Sequence, residues 1–219
     1  CEDRAKIGLE FPLNEYRAMW KMGGEPLVQR LADKSHTWSD LQTLIPNTIV
    51  QQLLGYTFTC PDMIGGGNFI SFLPGSKIDQ NLIVRSAQVH ALMPMMQFSV
   101  APWRILDSVH LNAVKDAVKL RQKMMPVIME VMRSSAQTGL PALRHLSYNY
   151  PGKGYENIKD EFMMGDEILV APVVNEKEER TIVLPPGDWY YQNKKWKGDK
   201  TYQVKVALNE LPVFIKMKK

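Results

Sequence analysis

The chain has 219 residues, 45% hydrophobic and 23% charged, with a formal net charge of +4. This is the make-up of a folded globular protein with room for one large domain, or a medium one and a small one, and it excludes a disordered or low-complexity chain. Cys1 and Cys60 are too few for a disulfide scaffold and lack metal-ligand spacing, so a bridge from Cys1 to another chain and two unpaired thiols both stay open.

The first apolar run, Leu27 to Ala32, reads as a strand that stops at Asp33. Leu41, Leu44, Ile45, Ile49, Leu53 and Leu54 recur at helical spacing, and Gly55 follows as a stop. Tyr56 to Cys60 is rich in β-formers and ends at Pro61-Asp62, ahead of Gly65-Gly66-Gly67. A second helix fits Gln80 to Met93, and Met96 to Val100 is a short strand. A long helical pattern runs from Ser108 to Ala136, with a kink or break expected at Pro126. Ala142 to Leu146 completes a strand–helix alternation of the α/β kind with parallel strands.

Beyond about Pro151 the texture changes. Ile168 to Val174 is a continuous apolar run, and Thr181–Pro185, Trp189–Tyr191 and Thr201–Val206 follow, punctuated by Gly, Pro, Asp and Asn. These short strands predict a small antiparallel β-domain. Lysines crowd its end, at Lys194, Lys195, Lys197, Lys200, Lys205, Lys216, Lys218 and Lys219. No nucleic-acid motif accompanies them, so they read as a solvated face and no nucleic-acid partner is expected. The most apolar stretch, Val89 to Trp103, is interrupted by His90, Pro94, Gln97 and Pro102 and does not read as a membrane span.

Carboxylates at the C-terminal ends of parallel strands are where a β/α enzyme places its chemistry, and Asp33 and Asp62 stand at two such ends. Glycosidic cleavage needs a proton donor and a second carboxylate across the sugar ring. Taken alone, strand-end acids are a weak signal. His36, His90, His110 and His145 have no paired metal spacing and read as structural or exposed, and Arg85 as half of an ion pair on its helix.

A resemblance narrows this. Phe162-Met163-Met164-Gly165-Asp166-Glu167-Ile168-Leu169-Val170-Ala171-Pro172-Val173 is similar to a signature of glycoside hydrolase family 31 that lies where the catalytic barrel passes into the C-terminal β-domain. Arg180 to Tyr190 and Leu211 to Lys216 resemble two later strands of the same family, in the same order. Upstream, Leu53-Leu54-Gly55-Tyr56-Thr57-Phe58 with Pro61 to Gly66, and Met96-Gln97-Phe98-Ser99 with Pro102-Trp103, resemble the branch typified by the myogenesis-regulating glycosidase.

The resemblance implies the second half of a (β/α)8 TIM barrel over residues 1–152 and a small, sandwich-like antiparallel β-domain over 153–219. It implies a retaining α-glycosidase acting on a terminal α-linked sugar, needing neither cofactor nor metal, in the secretory lumen or outside the cell. Arg30-Leu31-Ala32-Asp33-Lys34 and Trp38 match the segment that carries the acid/base, which makes Asp33 that residue, with Asp40 as the fallback acid. Asp62 would bind sugar hydroxyls at the cleaved bond, with Arg30, Trp38 and Trp103 about the substrate.

The departures also count. The family nucleophile, an aspartate on an earlier strand, has no counterpart between Cys1 and Asp33, since Asp3 has the wrong surroundings. A second chain or a preceding segment is therefore expected to complete the barrel. The segment after Trp38 is shorter than the branch pattern, which loosens the register around Asp33. Ser99 stands where many family α-glucosidases carry a substrate-binding histidine, which leans towards α-galactosides. The alternative is an inactive family 31 relative that serves as a binding or scaffold protein.

Overall fold

A computed structural model describes residues 3, 6, 10–11, 14–17, 20–73 and 75–218; Cys1 and Lys219 lie outside them. Three short strands, β1 (Glu15–Tyr16), β2 (Val28–Arg30) and β3 (Phe58–Cys60), pair in parallel in that order. A parallel pair, β4 (Met63–Ile64) and β5 (Gln97–Phe98), follows. Three helices cross between these strands or leave them: α1 (Trp38–Leu53), α2 (Gln80–Ala91) and α3 (Ser108–Thr138).

Each helix starts on a residue suited to cap it. Thr37, Asp79 and Asp107 accept backbone N–H groups of the first turns, which would otherwise lack partners. Leu41, Leu44, Ile45 and Ile49 of α1 pack with Ile83, Val84 and Ala87 of α2 and with Val114, Ala117 and Ile128 of α3 in one core. Pro126 neither breaks nor divides α3, which runs unbroken for 31 residues and stops at Gly139, in the left-handed conformation. A proline costs the ladder a single N–H, and burial on either side of it, at Met124 and Ile128, holds the helix together.

The strand expected at 142–146 forms as β6 (Leu143–Arg144), but it pairs antiparallel with β7 (Phe162–Met164). It therefore joins the C-terminal sheet instead of extending the parallel series. With β8 (Ile168–Val170), β10 (Asp188–Tyr191), β11 (Lys194–Lys197) and β13 (Val213–Lys216), that sheet has the order β11-β10-β13-β8-β7-β6. β9 (Glu179–Leu184) and β12 (Lys200–Lys205) form a separate ladder packed against it.

Strand alternation splits the interior. Phe162, Met164, Ile168 and Val170 face the helices, while Met163, Leu169 and Ala171 face Ile182, Leu184, Trp189 and Phe214. With both faces covered, β7 and β8 are apolar at every position, which explains the unbroken hydrophobic run in the sequence. Gly165 turns between them at φ 61°, and its N–H donates to Ala142 O at 2.9 Å. Arg144 reaches Asp166 across this turn at 2.5 Å, so the glycine and aspartate of the signature serve the junction of the two cores.

Arg85 forms no ion pair on its helix, contrary to expectation. Its guanidinium donates to the carbonyls of Val206, Ala207 and Glu210 and to the Gln88 side chain, which ties α2 to the loop before β13. Arg121 of α3 likewise donates to the carbonyls of His90, Ala91, Met93 and Pro94, filling acceptors left open where α2 ends.

Candidate active site

Asp33 and Asp62 stand just beyond the C-terminal ends of β2 and β3, which are paired neighbours in register Arg30 with Cys60. The Lys34 N–H donates to Asp62 Oδ2 at 2.8 Å, and the Met63 N–H to Asp62 Oδ1 at 2.7 Å. The two strand ends are thus stitched through the carboxylate itself. Asp62 is 4% exposed, and burial raises its pKa against the pull of those two N–H donors. Asp33 adds to the rise through its own charge.

Asp33 is open to solvent and held by two arginines. Arg17 Nη2 lies 3.0 Å from its Oδ1 and Arg30 Nη1 3.2 Å from the same oxygen. Arg30 also reaches Glu15 Oε1 at 2.7 Å, and the other Glu15 oxygen accepts the side-chain amide of Gln97 on β5. Gln97 Oε1 in turn faces the Cys60 thiol at 3.6 Å. Burial pushes that thiol up to about 12, so Cys60 is a core residue and no nucleophile.

The glycine run is shaped by close approach. A Cβ on Gly67 would lie 2.3 Å from Lys34 O, and one on Gly65 would lie 2.2 Å from the Val100 side chain. Both residues have positive φ. Only glycine lets this loop close over the Asp33–Lys34 turn. His36 fixes the loop by donating from Nε2 to Gly66 O at 2.7 Å, with its ring edge-on to Phe72. Behind Asp62 lies a cavity of about 40 Å³ lined by His36, His90, Ser86 and Lys34 among others. His90 sits fully inside, its ring nitrogens 2.7 Å from Ser86 O and 3.1 Å from Asp62 O, and burial drives its pKa down to about 4. A neutral imidazole carries one N–H, so it donates to one of these two carbonyls and only packs its other nitrogen against the second.

Among the described residues no hydrogen bond or ion pair joins the remaining expected residues to either carboxylate. Trp38 lies in the first turn of α1, its indole N–H donating to Asp79 Oδ2 at 2.9 Å. Asp40 is in the same turn, where it accepts the Ser35 N–H at 2.5 Å. Trp103 is 72% exposed and borders an open apolar depression of about 610 Å³ with Ser99, Val100 and Val114. Sequence reasoning assigned no role to Glu15, Arg17 or Gln97, and read His36 as structural or exposed. Gln97 had a signal, since it belongs to the Met96–Ser99 motif, whereas Glu15 sits on a two-residue strand with no apolar run to announce it. Among the described residues no three His, Cys, Asp or Glu side chains are grouped to hold a metal.

Residues 26–131 match the description "Glycosyl hydrolases family 31 TIM-barrel domain", and residues 139–218 match "Glycosyl hydrolase family 31 C-terminal domain". The chain belongs to glycosyl hydrolase family 31. The myogenesis-regulating glycosidase of Mus musculus is 34% identical over 93% of this chain and 29% of its own length. The SITS-binding protein of Tetronarce californica is also 34% identical, over 88% of this chain and 29% of its own. The likeness to the myogenesis-regulating branch therefore holds beyond the motifs. Among solved structures, a Flavobacterium johnsoniae GH31 dextranase complexed with glucose superposes with a TM-score of 0.77 at 26% identity, over 87% of this chain and 25% of that one. A cycloalternan-degrading enzyme of Trueperella pyogenes gives 0.85 over 99% of this chain at 19% identity, which shows the shared fold. The family 31 chain thus spans somewhat under a third of the curated relatives it matches.

Proposed function

We propose that this chain supplies the acid/base side of a retaining α-glycosidase site, with Asp33 as acid/base and Asp62 as the carboxylate that receives ring hydroxyls of the sugar. The observation that carries the reading is the pair of carboxylates at adjacent parallel strand ends, joined by the Lys34 N–H on Asp62. The Asp33 carboxyl, shared with Arg17 and Arg30, faces solvent where a leaving oxygen can reach it, while the fixed, buried Asp62 is suited to accept hydroxyl donors in a set direction.

In the first step Asp33 gives its proton to the glycosidic oxygen as the bond to the anomeric carbon breaks. A carboxylate outside the described residues attacks that carbon to form the glycosyl-enzyme. In the second step Asp33 takes a proton from water, whose oxygen displaces the carboxylate. Arg30 orients Asp33, and Trp103 and Trp38 line the approach for the rest of the glycoside. Asp40 is the fallback acid, but its carboxylate is spent on the α1 turn. A preceding segment or second chain completes the barrel, and the site of action is the secretory lumen or the exterior. No helix among the described residues is long and apolar enough to cross a membrane. The serine at position 99, beside Gly66, favours an α-galactoside over an α-glucoside.

The test is hydrolysis of α-galactosides and α-glucosides by the full-length protein and its Asp33→Asn variant, with the product anomer followed by NMR. Release of the α-anomer first, galactoside faster, and a loss of about a hundredfold or more in the variant support the reading. A second reading, an inactive binding relative, is favoured by the name of the Tetronarce californica protein and by the two arginines already on Asp33. No turnover by the wild type on either sugar leaves that reading in place.

A further inference from the structure

Glu15 is a member of this site that neither motif nor mechanism accounts for. It stands on β1, one strand over from Arg30 and across the half-barrel from β5, and joins the two through separate oxygens. Arg30 is the middle of the arrangement. Its Nε is taken by Glu15 at 2.7 Å and its Nη1 by Asp33 at 3.2 Å. The Arg30 side chain is 14% exposed and the Glu15 side chain 28%, so the pair is screened far less than a surface ion pair.

Arginine prefers to meet a carboxylate with two parallel N–H groups. Here the nearer contact goes to Glu15, which leaves Asp33 one longer contact from Arg30. An Asp33 gripped by both arms of Arg30, with Arg17 already on it, would have its oxygens committed to guanidinium N–H groups and turned away from a leaving oxygen. Among the described residues, the other charged or titratable groups about this carboxylate have partners or positions of their own. Arg17 lies on the solvent side, Lys34 turns its ammonium to the Ala32 carbonyl, and Asp62 is bound by backbone N–H groups. Cys60 beneath is un-ionised. Among the described residues Glu15 is the carboxylate that competes with Asp33 for Arg30.

We propose that Glu15 is a positioning residue for proton donation: by occupying Arg30 and bracing itself on Gln97, it keeps Asp33 loosely held and able to protonate the leaving oxygen. The inference rests on the glycosidase reading above, and it specifies that the step served is proton transfer, not sugar binding. Removing the charge in Glu15→Gln frees Arg30 to close on Asp33. A group that protonates the leaving oxygen matters most when the leaving group is a poor one.

The experiment compares alkyl and nitrophenyl glycosides of the same sugar in the full-length protein. Glu15→Gln is expected to lower kcat/KM on the alkyl glycoside by about tenfold or more and to leave the nitrophenyl glycoside within about twofold. Combined with Asp33→Asn, it should add nothing further. Arg30→Lys, which keeps the charge but loses the fork, guards against a folding defect in the first variant: added to Glu15→Gln it should relieve the loss on the alkyl glycoside, since no fork remains to close on Asp33. Equal losses on both substrates, or an effect that persists in the Asp33→Asn background, overturn the role of Glu15 while leaving the glycosidase reading intact. A wild type inactive on both substrates overturns the glycosidase reading and this role with it.

Discussion

At the scale of single residues, the chain keeps two buried carboxylates for opposite ends. Asp62 is enclosed but satisfied by two N–H donors, so it stays a directed acceptor. Glu161, inside the C-terminal sandwich, accepts one N–H, from Val183, and lies 3.6 Å from Arg180, whose charge is shared with Asp160. Burial pushes Glu161 up to about 8. A carboxyl raised in the folded state stabilises the fold fully below its unfolded value, near 4.5, and that contribution is lost as pH rises through about 8. Urea unfolding across this window should therefore show the wild type losing stability towards pH 8 and Glu161→Gln losing much less. A wild type as stable at pH 8 as at pH 5 contradicts this. The acids of the proposed site were partly legible in the sequence: Asp33 and Asp62 each follow a β-forming run. Glu15 was not, because a two-residue strand has no period to detect and its partners lie 15 and 82 positions away.

Elements were read well where their apolar spacing was strong. The three long helices fall where periodicity put them, and the Ile168–Val170 run is a strand buried on both faces. Two readings failed for the same reason, which is that tertiary partners override local preference. β6 looked like the next parallel strand, but its partner is β7, set by the Gly165 turn. Arg85 looked like a helix-surface cation, but it is 4% exposed and serves a chain segment over a hundred residues further on. Arg85→Met should leave three carbonyls short of a donor and cost about 3 kcal/mol, lowering the thermal midpoint by roughly 5–10 °C. Differential scanning calorimetry decides the point; an unchanged midpoint would mean that the 206–210 loop docks on α2 without this arginine.

Over the whole molecule, the barrel portion and the β-domain share a continuous boundary: opposite faces of β7 and β8 belong to the two cores. The proposed site, at the strand ends of β2 and β3, would need such packed support to place two carboxylates around one sugar. The family's fold was legible because its signatures encode this boundary in unbroken apolar strands and one obligatory glycine turn. The site was legible only in part, since its geometry depends on side chains that meet across four strands. The most direct test is a crystal structure of the full-length protein with an unhydrolysed galactose-configured ligand. The account requires ring hydroxyls on Asp62 and the glycosidic oxygen within hydrogen-bond reach of Asp33. A sugar bound elsewhere, or one that touches Asp62 while Asp33 stays closed on Arg17 and Arg30, would contradict it.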